Sequence, residues 1–273
     1  MTTRTAFGAF LGALAWAGAS SFVPAVALAQ AAIDWSDIEG RIQYAYYTHD
    51  ARALNGVLTL LKPKAGAEDG EQGDAGTRAY FRALAHYRLA QVLDGTQKSQ
   101  ARSSIGKCGD EVDAAVKTLP VVKYVDEAPE NQLKRAEAYA LGTACTLAGR
   151  EMSSIPFAGG RIGSRIDDAV KLAPRNPRVR LVEALTQFER AGKDADAKAA
   201  AVKNLRAVTQ MFEQARAQES TVPEWGAAEA YAFLGRALID QRDVLGAREA
   251  LERALLIAPD YAFARKLMAQ ITR

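Results

Sequence analysis

Two cysteines and two histidines are the side chains best equipped for covalent or metal chemistry in this 273-residue chain. Their spacing restricts what they can do. Cys108 and Cys145 lie far apart in sequence, with no C-x-x-C pair that would suggest dithiol redox work or half of a zinc site. His49 and His86 form no H-x-x-x-H or H-E-x-x-H pattern, so a metal site would have to draw its carboxylates from distant segments. His49 stands beside Asp50 in what reads as an interhelical turn. The stretch Ala158-Gly159-Gly160-Arg161-Ile162-Gly163-Ser164-Arg165 opens onto a helix N-terminus, where backbone amides attract anions. It lacks the Lys-Ser/Thr pair of a phosphate-binding loop and follows no strand. Ser103-Ser104 and Ser153-Ser154 have no accompanying His/Asp pattern. The sequence therefore offers no catalytic, cofactor-binding or metal-binding residue, and the chain reads as a non-enzyme that needs no cofactor.

The elements that would position any other kind of site begin with a leader. Arg4 is followed by an Ala/Gly-rich apolar stretch from Ala6 to Leu28, broken by Pro24 and closed by Ala27-Leu28-Ala29. That order describes a secretory signal peptide over residues 1–29, cleaved after Ala29 to leave Gln30 first. The alternative is a retained anchor, because the stretch approaches the roughly 20 residues that span a bilayer. No Cys lies near the cleavage point to carry a lipid, and no later segment is apolar enough to span. A periplasmic or secreted protein is expected.

Thirty-five basic side chains face 32 acidic ones, and no basic run stands out, so nothing marks a nucleic-acid surface. Abundant Ala, with frequent Leu and Arg, favours helix, while the β-branched and aromatic runs of strands are missing.

From Ala228 the sequence reads AEAYAFLGRALIDQRDVLGAREALERALLIAPD. Counting Ala228 as position 1 places Tyr231 at 4, Leu234 at 7, Gly235 at 8, Ala247 at 20, Leu251 at 24, Ala254 at 27 and Pro259 at 32. This window resembles the 34-residue tetratricopeptide (TPR) unit. Gly235 and Ala247 would let two antiparallel helices approach, Leu234 and Leu251 would fill the seam, and Pro259 would end the second helix. Earlier units can be phased on Pro174 and Pro120. Ala138, Leu141, Gly142 and Cys145 fall on one first helix, with an insert over residues 153–160 read as loop. Thr77–Leu93 forms another first helix. The segments Pro177–Ala191 and Lys198–Ala217 form a pair, as do Trp35–Tyr47 and Asp50–Leu61, the latter followed by a Gly- and acid-rich loop over 62–76. Tyr261–Thr272 reads as a cap.

The expected fold is an all-α, TPR-like α-α hairpin solenoid of about five helix pairs plus a C-terminal capping helix. Residues 30–76 hold a degenerate first pair and its loop, and 77–273 the superhelix, with the sharpest repeat at 228–261. On this phasing Cys108 and Cys145 fall on adjacent helices, so either a disulfide or two small buried thiols would suit them. Trp225 would staple the fifth pair onto the fourth.

The resemblance implies a groove that binds a protein or peptide, lined by the first helix of each pair. The family's groove positions carry over to Glu229, Ala232, Arg236, Ile239 and Asp240 in the last repeat and to Ala136, Tyr139, Thr143, Thr146 and Leu147 in the third. The second supplies Arg82 and His86. Arg236 and Asp240, four apart, could equally pair with each other. The expected function is a non-catalytic scaffold or adaptor in the bacterial cell envelope. The alternative is a small-molecule-binding TPR component of a periplasmic solute transporter. An enclosed apolar cavity with convergent polar groups would favour the second, and an open polar groove the first.

Overall fold

Helix starts are written locally in this chain by Asp and Asn. Asp34 accepts from the amides of Ser36 and Asp37, Asp50 from Ala53, Asn176 from Arg178 and Val179, Asp194 from Ala197, and Asp243 from Gly246. Each carboxylate or amide oxygen satisfies a donor that the first helical turn would otherwise leave open.

The computed structural model describes residues 33–62, 72–119, 129–153, 159–216 and 225–272. Among them there are eleven helices and no strand. The helices are α1 (Trp35–Tyr47), α2 (Ala51–Leu60), α3 (Gln72–Leu93), α4 (Lys98–Thr118), α5 (Pro129–Ser153), α6 (Gly159–Leu172), α7 (Pro177–Ala191), α8 (Ala195–Arg216), α9 (Ala227–Asp240), α10 (Val244–Ile257) and α11 (Ala262–Ile271). Residues 34–273 form one compact unit. Within it α1/α2, α3/α4, α5/α6, α7/α8 and α9/α10 pack as hairpins, and α11 lies against α9 and α10. Each second helix also packs on the first helix of the next pair, and α1, α3, α5 and α7 pack one on the next. Among the described residues no helix is long and apolar enough to cross a membrane.

Small residues set the closest approaches. A Cβ built on Gly235 would stand 2.7 Å from Leu251 Cγ and 3.4 Å from the Ala247 carbonyl oxygen, so α9 and α10 meet where only hydrogen fits. Leu234, Ala247, Leu251 and Ala254 are all buried in that seam, and Pro259 stands in the turn after α10. Gly142 plays the same part on α5, its absent Cβ falling 2.9 Å from Val112 Cγ1 of α4. Cys108 of α4 and Cys145 of α5 are joined by a disulfide across this contact, with Cα atoms 6.4 Å apart.

Two expected loops are shorter than the sequence reading. Helix α3 begins at Gln72, five residues before Thr77, and takes in Gly76. That glycine reads as loop by composition, yet a Cβ there would lie 2.9 Å from Leu119 Cγ. It is a packing glycine of α3, set against the end of α4. Helix α6 starts at Gly159, inside the stretch expected as loop. The proposed signal segment, Pro120 and residues 154–158 lie outside the described residues.

One apolar cluster joins α7 through α10, with Leu181, Phe188, Leu205, Phe212, Leu234 and Leu238 among its members. A second brings Tyr46 and Tyr47 of α1 against Tyr231, Leu251, Tyr261 and Leu267. The first helix and the last thus share a core, an arrangement that simple nearest-neighbour stacking of pairs would not require.

Candidate ligand cavity and the buried network behind it

First helices turn charged and aromatic side chains toward one another. The α1 carboxylate of Glu39 accepts from Arg178 Nη2 of α7 at 2.6 Å and from the Trp225 amide at 2.9 Å. Arg178 Nη1 reaches Glu137 of α5 at 3.0 Å, Tyr80 of α3 donates to the same carboxylate at 3.0 Å, and Trp225 Nε1 donates to the Tyr80 oxygen at 2.8 Å. Trp225 therefore ties the start of α9 to α1 and α3, beyond the neighbouring pair expected of it.

Deeper still, Arg88 of α3 pairs with Glu229 of α9, each about 1% exposed. Tyr47 and the Gly226 amide also donate to Glu229, both at 2.9 Å. The Arg88 guanidinium lies 4.1 Å from the Tyr46 ring centre and 5.2 Å from that of Tyr87, while the Tyr46 and Tyr261 hydroxyls meet at 2.9 Å. Burial alone would lower the Arg88 pKa, but the carboxylate of Glu229 more than offsets it and holds the group above its ordinary value. Burial pushes the phenols of Tyr47, Tyr80 and Tyr261 well above theirs. All of these hydroxyls stay protonated, with Tyr47 donating to Glu229 and Tyr80 to Glu137.

Beside this network the first helices line a half-open cavity of about 390 Å³. Helix α3 supplies Tyr87, Gln91 and Val92, with Asp94 in the turn after it; α5 supplies Ala144, Leu147, Ala148 and Glu151; α7 supplies Val182, Leu185 and Glu189. Phe233 and Arg236 come from α9, Phe263 and Lys266 from α11, and Tyr46 and His49 from the end of α1. The spacing is helical in each case: residues three, four and seven apart share a face, so one stripe per helix reaches the same space. Apolar and aromatic groups form the walls. Three of the charged groups come together from α5, α7 and α9: Arg236 Nη2 stands 3.4 Å from Glu189, and its Nη1 4.0 Å from Glu151. The Glu151 carboxyl is raised above its usual range by desolvation in the recess, then by Glu189 and Asp94, with Arg236 opposing. Its side chain remains 55% exposed, so solvent screens these charges and the shift says little about stability.

Compared with known proteins, the chain matches no family model and no curated protein. Its function has to be read from the site.

Of the twelve groove positions read from the sequence, Leu147 and Arg236 line the cavity. Arg82 pairs with Glu111 of the adjoining helix α4 and reaches the Leu61 carbonyl. His86 is buried, its Nδ1 without a hydrogen-bond partner, and its pKa is lowered to about 4 by burial and by the positive charges of Lys107 and Arg82. Thr143 is buried and donates to its own helix at the Tyr139 carbonyl, and Tyr139 stands beside Arg135. Glu229 and Ala232 are buried. The expected Arg236–Asp240 pairing gives way to partners on other helices: Arg236 turns to Glu189 and Glu151, while Asp240 lies 3.9 Å from Lys198. Glu151, Glu189 and Phe233 were not singled out by sequence, whereas Phe263 was expected to face inward from the cap. The available signal was an apolar stripe ending in an acid, Ala144-Leu147-Ala148-Glu151 and Val182-Leu185-Glu189.

Proposed function

We propose that this chain is a non-catalytic TPR-type binding scaffold, exported to the bacterial periplasm, that holds a small molecule in the cavity between its first helices and serves a solute-uptake system. The observation that carries this reading is the cavity itself. Its 390 Å³ falls within the usual range for ligand sites, and five first helices and the cap contribute to its walls. The faces that would line an open peptide groove are committed instead to Arg88–Glu229, Glu39–Arg178 and Trp225–Tyr80. Separating those groups to admit a polypeptide would expose buried charges without compensation.

The adaptor reading keeps one observation of its own. Helix α10 presents Val244, Leu245 and Leu256 to solvent, and Leu256 borders a polar recess of about 510 Å³ between α8 and α10. Charged residues of both helices line that recess, among them Arg206, Glu213, Glu249 and Arg253, which suits a transient protein contact better than a buried ligand.

Equilibrium dialysis of the exported protein against small-molecule extract of its host, followed by mass spectrometry, tests the proposal. Enrichment of one compound class by the wild type, lost when Ala148→Phe fills the cavity, supports it. No enrichment by a folded wild-type protein overturns it. Specific capture of a protein through α10, abolished by Leu256→Asp, would establish the adaptor reading in its place.

A further inference from the structure

Resting on the small-molecule reading, we propose that the cavity selects an organic cation: a molecule with an apolar or aromatic body and one protonated amine, the amine placed beside Glu151.

Charge along the cavity lining is unbalanced, with Asp94, Glu151 and Glu189 set against Arg236 and Lys266. One guanidinium is shared by two carboxylates and stands nearer Glu189 than Glu151, 3.4 against 4.0 Å. Glu151 is therefore the under-compensated member. An ammonium group would complete the set, whereas a ligand carboxylate would enter against three like charges in a partly desolvated recess.

The walls point the same way. Phe233 and Phe263 stand with ring centres 5.6 Å apart, and Tyr46 and Tyr87 complete an aromatic lining. Aromatic faces attract cations, and this protein already uses two of these rings so, with Arg88 over Tyr46 and Tyr87. An aromatic-lined cavity that also carries a carboxylate held only by a long, shared ion pair accepts both halves of an amphipathic amine. A neutral analogue would fill the apolar part and leave Glu151 as it was.

The test uses three probes of identical body, phenylbutylamine, phenylbutanol and phenylbutyrate, titrated calorimetrically into the exported full-length protein near neutral pH. The amine is expected to bind about tenfold more tightly than the alcohol, with the acid weakest. Glu151→Gln should remove most of the amine's advantage and leave the alcohol's affinity unchanged. The half-exposed position of Glu151 makes this variant safe for folding, which an unchanged melting temperature would verify. Equal affinity for all three probes, or preference for the acid, overturns the cation assignment while leaving the small-molecule reading standing. Binding of none of the three also overturns it, and the dialysis experiment then judges the small-molecule reading separately.

Discussion

Removing the Glu229 carboxylate should cost more stability than any surface charge in this protein could. Arg88 and Glu229 face each other from α3 and α9 with about 1% of each exposed. In Glu229→Ala the Arg88 guanidinium stays buried with the Gln91 oxygen, 2.9 Å from its Nη1, and the aromatic rings around it. Breaking a buried pair from one side costs about 3–5 kcal/mol, because a charge is left uncompensated. Tyr47 and the Gly226 amide lose their acceptor as well, which adds about 1 kcal/mol each. For a chain of this length 1 kcal/mol moves the midpoint by about 2–4 °C, so Tm should fall by about 10–28 °C. Arg88→Met should be similarly harmful. The double variant Arg88→Met/Glu229→Ala, which leaves no buried charge, should be less destabilised than the two singles summed by about 2 kcal/mol or more. Thermal melts of the four proteins, followed by circular dichroism, read the cycle directly. A Glu229→Ala shift below about 2 °C, or strict additivity, would show that the pair is not dry, and would refute the claim that the inward faces are committed to each other.

Three further outcomes follow from other contacts. The disulfide between Cys108 and Cys145 closes a loop of 37 residues, so Cys108→Ala/Cys145→Ala should lose about 3–4 kcal/mol, and the oxidised protein should titrate no free thiol under denaturing conditions. His86 is held at about pKa 4 against 6.5 in the unfolded chain, so the unfolded state takes up a proton first as pH falls. Stability from this source is intact above about pH 6.5 and declines toward pH 4, by up to about 3 kcal/mol, and urea midpoints of His86→Leu should lack that decline. Gly235→Val places side-chain carbon where Leu251 Cγ stands, and should cost about 1–3 kcal/mol despite the better helix former, measured by chemical denaturation; an unchanged midpoint would mean that α9 and α10 can part freely.

Residue patterns with local causes were legible without coordinates. Helical periodicity, helix-ending prolines and the small-residue positions Gly142, Gly235 and Ala247 gave the helix pairs and their order, because each depends on interactions within one or two turns or across one hairpin. Even the cysteine pair could be narrowed to adjacent helices, although the bond itself could not. Where glycine had two meanings the pattern failed: Gly76 reads as loop, and only the position of Leu119 shows that it is packed.

The site was decided elsewhere. Tyr46 meets Tyr261 across 215 residues, Arg88 meets Glu229 across 141, and Trp225 meets Glu39 across 186. No local rule couples partners so far apart. Their approach depends on small angular offsets accumulated through every intervening helix, and each offset depends on how particular side chains interlock. The sequence by itself determined that each first helix would carry an inward stripe. Only tertiary packing decided that those stripes would meet, neutralise part of their own charge, and leave an aromatic cavity with Glu151 and Glu189 in its lining.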